Sequence, residues 1–229
     1  NCNNKNDFTF KNIKLEGTTY SPKPDFYFTQ GAQFDNILKK YFKNTKIIGP
    51  IKYDGVSFKK KVKKNKTKKI VICPSVGDDE VILNMLDGAV SAQHKYFISP
   101  HPTYKFIAKK FINKLSKKCD IRYLENVSTR KLVAQSDLVI AGFSSMVYEA
   151  TIMGIPSLRL ISLQYPHYHE TNDKVKMIFN SLDLKKILSQ KSFAQLKFLD
   201  KNKVKNYMFY KLDNKSFLRM WSNIKKYKN

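Results

Sequence analysis

Two adjacent serines, Ser144 and Ser145, stand directly after the apolar run "DLVIAG" and directly before a helical pattern, "SMVYEATIMG". Gly142 permits a tight turn off the strand. Hydroxyls and free backbone N–H groups at the start of a helix make a seat for an anion. A capping box needs its acidic partner three residues on, and Glu149 lies four and five residues from the two serines, so the box does not fit. A plain serine cap would use one hydroxyl and leave Glu149 without a task. One turn into the helix, that carboxylate is placed to accept hydrogen bonds from a ribose diol. A second candidate is His101 in "SPHPTY", after another strand and before a helix that opens at Pro102, a residue favoured at the first helical position. An imidazole there can donate to a phosphate or polarise a leaving group.

These side chains meet only if the elements carrying them bring their ends together. From Lys69 onward the sequence alternates in a regular way. The strands "KIVICP", "KYFISP", "DIRYL", "DLVIAG" and "PSLRLI" are separated by segments of helical periodicity. Val81, Ile82, Met85, Leu86 and Ala89 form one such stripe, with Asp78, Asp79 and Glu80 near its N-terminus. Ser128 reads as the cap of the short helix in "STRKLVAQS", and Gly154 as the residue that ends "SMVYEATIMG". Strands alternating with helices mean βαβ units. The fold class expected is α/β: a Rossmann-like parallel sheet of five strands between Ile70 and Ile161, with helices on both faces. In such a sheet ligands bind beyond the carboxyl ends of the strands, where Val76–Asp79, Ser99–Thr103 and Gly142–Ser145 all lie.

Four regions are expected. Residues 1–55 hold a strand–helix–strand unit, "DFYFTQGAQFDNILKKYFKNTKIIG"; residues 56–69 are a linker with eight lysines in the eleven residues 59–69. Residues 70–190 form the nucleotide-binding domain, and 191–229 a helical tail. The start of the chain, "NCNNKNDFTF", has neither a basic nor an apolar signal-peptide region, and no apolar run is long enough to cross a bilayer. Cys2, Cys73 and Cys119 show no metal or disulfide spacing, which implies reduced thiols in a cytoplasmic protein.

The formal net charge is +25, which attracts polyanions. Only four of the 43 basic residues are arginines, Arg122, Arg130, Arg159 and Arg219, whereas base-reading proteins favour arginine forks. No RNA-binding signature or helix-turn-helix spacing accompanies the charge, so nucleic acid is the competing reading rather than the expected partner. Lysines gathered on one face, including 59–69 and the C-terminal "KKYK", would imply peripheral contact with an anionic inner membrane; even scatter would reflect compositional bias. "HYHE", residues 167–170, has a histidine pair at i, i+2 beside Glu170 but no further ligand at fitting spacing, and reads as a polar loop.

"SPHP" followed by "LVAQSDLVIAGFSSMVYEATIMGIPSL" resembles the C-terminal half of bacterial surface-polysaccharide glycosyltransferases built from two Rossmann-like domains, the GT-B architecture. Sialyltransferases and polysialyltransferases, capsule Kdo transferases and teichoic-acid glycerophosphotransferases share the His-Pro and Ser-Ser pairs. The resemblance implies transfer of a sugar from a nucleotide donor, CMP-linked in the sialyltransferases, to a glycan or lipid-linked glycan acceptor. His101, Ser144 and Ser145 would contact the donor phosphate and Glu149 the ribose, with Pro102 and Gly142 completing the donor-nucleotide site. "EGTTYSPKPDFYFTQG…KIIGPIKYD" is similar to the end of the first domain in surface-carbohydrate biosynthesis proteins, with Glu16 where several members have histidine. The acidic motif that supplies the catalytic base in the sialyltransferases has no counterpart in place, which leaves Glu16 as the candidate beside His101. The chain therefore reads as the donor-binding half of a larger enzyme. No cofactor or obligatory metal is expected, because protein cations and helix dipoles neutralise the leaving nucleotide. A UDP-sugar epimerase of the same architecture is the alternative enzyme.

Overall fold

The computed structural model describes residues 26–58, 67–75, 77–101, 109–161, 176–190, 192–193, 196 and 201–228. Glu16, Pro102, most of the lysine run and "HYHE" lie outside the described residues.

The chain opens with a small parallel pair, β1 (Tyr27–Thr29) and β2 (Thr45–Ile47), joined by α1 (Ala32–Leu38). A short 3-10 turn, Ile51–Tyr53, follows. The main sheet then begins at β3 (Lys68–Cys73) and continues through β4 (His94–Ile98), β5 (Asp120–Tyr123), β6 (Leu138–Ala141) and β7 (Ser157–Leu160). A sixth strand, β8 (Lys176–Ile178), pairs parallel with β7. The helices are α2 (Asp79–Asp87), α3 (Lys109–Ser116), α4 (Thr129–Val133), α5 (Met146–Ile152) and α6 (Ser181–Leu188). The strand order is β5-β4-β3-β6-β7-β8, and every pairing in it is parallel.

This is the Rossmann-like α/β fold, with two corrections. The sheet has six strands rather than five, because Lys176–Ile178, beyond the expected last strand, pairs with β7. β3 also takes Lys68 and Lys69 from the basic run, held by Lys69 N–H to Asp137 Oδ2 at 2.9 Å.

Strand alternation fills both faces of the sheet. Ile70 and Ile72 point into one cluster with Leu138, Ile140, Ile82, Leu86, Leu184 and Leu188. Val71 and Cys73 point into the opposite one with Val139, Ala141, Val147, Ala150 and Ile152. Strands buried on both faces read as continuous apolar runs, which is why "IVIC" and "LVIA" carry no polar alternation. α5 stops at a Schellman turn. Gly154 adopts φ 71°, its N–H bonds to Thr151 O at 3.0 Å, and Ile155 N–H bonds to Ala150 O at 2.9 Å.

The tail returns to the first unit. α7 (Lys201–Phe209) packs against both α1 and α5, burying Val204, Met208 and Phe209. α8 (Ser216–Lys228) is capped from outside its own segment: Asp54 accepts the N–H groups of Ser216 at 3.2 Å and Phe217 at 2.9 Å. Two orphan donors of a helix start are thus satisfied by a carboxylate, the charge sign the dipole favours. Arg219 ties the same helix to the residue after β2 through Ile48 O at 2.6 Å.

Candidate functional site

The strand order runs outward to β5 on one side and to β8 on the other, so the winding reverses between β3 and β6. Such a reversal leaves a crevice at the carboxyl edge. The register fixes what stands there. Cys73 pairs with Ala141 and Ile72 with Ile98, so the loops after β3, β4 and β6 leave the sheet side by side. A pocket of about 290 Å3 opens at this point, lined by Cys73 and Pro74, Ser99 to His101, Ser128 to Arg130, and Ser144 to Met146.

Three of the side chains singled out in the sequence, His101, Ser144 and Ser145, therefore line one cavity. Ser145 occupies the cap position of α5 but makes no side-chain cap hydrogen bond, and Ser144 Oγ accepts from Met146 N–H at 3.3 Å. α5 spans only seven residues, so the hydroxyls and amides of its first turn, rather than a long helix dipole, are what it offers a ligand. Ser99 Oγ and Thr129 Oγ1 lie 2.6 Å apart and tie the end of β4 to the start of α4.

Gly142 and Glu149 sit behind this surface. Both are buried, and neither is among the lining residues. Glu149 Oε2 accepts from Arg130 Nε at 2.9 Å, and Oε1 accepts the Tyr53 hydroxyl. Burial, with Glu149 close by, pushes the Tyr53 phenol far above its usual pKa, against the opposite pull of Arg130 and Ser145. The proton therefore stays on the tyrosine. Arg130 also lines the pocket.

A second network fixes the Gly142–Ser145 loop. Asp78 does not cap α2, although it stands at that position; its Oδ1 accepts Ser75 N–H and its Oδ2 accepts Phe143 N–H, each at 2.6 Å. One carboxylate thus ties the loop after β3 to the loop after β6 across the crevice. Arg159, also buried, donates from Nη1 to Gly142 O at 2.7 Å, with its guanidinium 5.2 Å from the centre of the Tyr148 ring. Sequence reading misses Asp78, Arg130, Arg159 and Tyr53 as site-forming residues. The available signal was composition: arginine in a chain that otherwise uses lysine marks places where a planar fork is needed.

Burial raises the Asp78 pKa from 3.8 to about 6, despite its two backbone donors. The folded value lies above the unfolded one, so folding favours the protonated acid. Its contribution is complete below about pH 4 and is lost as the pH rises through about 6. A gap of about two units is worth about 3 kcal/mol. The stability of the parent minus that of Asp78→Asn, from urea unfolding, is expected to fall by about 3 kcal/mol between about pH 4 and 7. A difference that stays flat over that range would contradict this reading of Asp78.

Among the described residues no group of three or more His, Cys, Asp or Glu side chains is placed to hold a metal ion, and no helix is long and apolar enough to cross a membrane.

No protein-family profile and no curated protein sequence matches the chain. Solved structures do. A wall teichoic acid polymerase, TagF, soaked with CDPG, superposes with a TM-score of 0.54 at 11% identity, over 90% of this chain and 57% of that one. A putative UDP-N-acetylglucosamine 2-epimerase from Listeria monocytogenes gives 0.53 at 16% identity, over 89% and 59%. Sucrose-phosphate synthase from Thermosynechococcus elongatus gives 0.54 at 11%, over 88% and 59%. The chain spans less than two thirds of the length of each. At these identities the likeness establishes the fold alone, the Rossmann-like α/β arrangement.

Proposed function

We propose that the chain is the donor-binding part of a GT-B glycosyltransferase that uses a nucleotide-activated sugar. The observation that carries this reading is the pocket at the sheet reversal, where His101, Ser144, Ser145 and Arg130 share one wall. Hydroxyl, imidazole and guanidinium donors converging on a cleft suit a phosphate ester better than a neutral ligand. The fold it shares with a teichoic acid polymerase and a sucrose-phosphate synthase agrees with transferase chemistry. In the proposed reaction an acceptor hydroxyl attacks the anomeric carbon and the nucleotide departs with the bonding electron pair. The pocket's donors stabilise the negative charge that develops on the leaving phosphate. No obligatory metal enters this scheme, and Glu16 is the proposed base on the acceptor side.

The finer reading is a CMP-linked donor and a glycan or lipid-linked glycan acceptor in surface-polysaccharide synthesis, with the excess lysine in peripheral contact with an anionic membrane. It is supported by the His-Pro and Ser-Ser pairs and by the net charge of +25. The epimerase reading draws on the Listeria neighbour. It predicts that a UDP-sugar is converted with no acceptor present, whereas a transferase needs one.

The direct test is a binding panel of CMP, CDP, UDP and GDP against the parent and Ser144→Ala/Ser145→Ala. Two hydroxyl donors to a charged group are each worth about 1.5–3 kcal/mol. Affinity for the preferred nucleotide is therefore expected to fall at least about tenfold, at about 1.4 kcal/mol per decade. Fold stability is expected to fall by about 1 kcal/mol at most, since a single weak cap bond is lost. A double variant that melts far earlier yet binds nucleotides as the parent does would reduce the serines to a helix start.

A further inference from the structure

Glu149 presents no exposed oxygen to the pocket. It is 2% exposed, and its two oxygens are taken by the Tyr53 hydroxyl and by Arg130 Nε. Arg130 is its opposite in every respect. The side chain is 36% exposed and forms part of the pocket wall. Its guanidinium lies 5.2 Å from the Tyr53 ring centre and 5.8 Å from that of Phe58, so aromatic faces and a carboxylate hold the fork together. A guanidinium anchored on its Nε side to a buried carboxylate and open to a cleft has the form of a preorganised ligand for an oxyanion.

We propose that Arg130 is the anion ligand of this pocket, taking a phosphate or diphosphate group, and that Glu149 and Tyr53 are positioning residues that act through it. Glu149 then does not hold the ribose. Tyr53 belongs to the first unit of the chain, so the orientation of the donor-side cation depends on a residue from the opposite side of the linker. This rests on the nucleotide reading above only for the source of the anion; the charge recognised is the same in inorganic pyrophosphate and in a nucleotide.

Calorimetric titration of the full chain with inorganic pyrophosphate, UDP and CMP, each nucleotide also in its 2′-deoxy form, tests the assignment. Arg130→Lys keeps the charge and loses the fork; it is expected to weaken pyrophosphate and nucleotides alike, by about tenfold or more. Glu149→Gln is expected to weaken all of the ligands by one common factor, leaving the ratio of ribo to deoxy affinity at the parent's value. Tyr53→Phe follows the same pattern with a smaller factor and guards against a Glu149 variant that does not fold. The proposal is overturned if Glu149→Gln leaves pyrophosphate untouched and lowers the ribonucleotides to the level of their deoxy forms. It is equally overturned if Arg130→Lys binds pyrophosphate as the parent does, or if the parent binds no pyrophosphate. Pyrophosphate binding with no preference for nucleotides would support the Arg130 seat and remove the nucleotide reading.

Discussion

Tyr53→Ala is expected to lower stability by about 4 kcal/mol, the middle of the range for truncating a buried aromatic. Tyr53 is 2% exposed. Its ring meets Phe58 and Phe209 edge to face, with centroids 5.3 and 5.2 Å away. These contacts join the first unit, the segment after it and α7, while the hydroxyl reaches α5 through Glu149. Removing the ring leaves a cavity among all of them and takes one of two partners from a buried carboxylate. The loss of packing adds to the cost of a buried oxygen left without its donor. Tyr53→Phe separates the two terms. It keeps every ring contact and deletes only the hydroxyl, so it is expected to cost about 1–2 kcal/mol. Urea unfolding of the three proteins measures both. An alanine variant within about 1 kcal/mol of the parent would show that the contact between the units carries no structural load.

What the sequence makes legible here follows from how local each determinant is. The strands β3 and β6 announce themselves, because a strand buried on both faces must be apolar at every position, and "IVIC" and "LVIA" are. The end of α5 is equally plain, since a left-handed residue closes it and glycine fills that conformation without strain. β8 is hidden for the opposite reason. Three residues in a lysine-rich stretch carry no period of their own, and pairing with Leu158–Leu160 makes them a strand. The same division holds in the pocket. Ser144, Ser145 and His101 stand next to strand ends, so knowing the strands is enough to place them at the crevice. Glu149 is visible one turn into its helix, but its partners are not: Tyr53 is 96 residues away and Arg130 is 19. Asp78 misleads in a further way. An acidic residue at the cap position of a helix is explained by the dipole, and that sufficient local explanation conceals a bond to Phe143, 65 residues on.

Gly142→Ala is expected to cost about 2–3 kcal/mol, as overpacking at a fixed site does. A β-carbon at this position would overlap Asp78 Oδ2 and lie 2.8 Å from its Cγ and 2.9 Å from its Cβ. Asp78 cannot swing aside without giving up the Ser75 and Phe143 amides that it holds at 2.6 Å. Asp78→Ala removes the obstacle but leaves those two N–H groups without their acceptor, at about 1–3 kcal/mol each. The two defects share one cause, so they cannot add. In the double variant the alanine at 142 occupies space that the carboxylate has vacated, and the amides are already unpaired. Its cost is expected to fall short of the sum of the singles by more than about 1 kcal/mol, the size of coupling found between residues in contact. Both single variants release the Gly142–Ser145 loop from one of its anchors, so nucleotide affinity is expected to drop in each and to stay low in the double. Stability is partly recovered there, while the loop geometry is not. If the three stability changes add to within about 0.5 kcal/mol, Gly142 and Asp78 act independently. The close approach of carboxylate and backbone would then not be what sets the shape of the pocket.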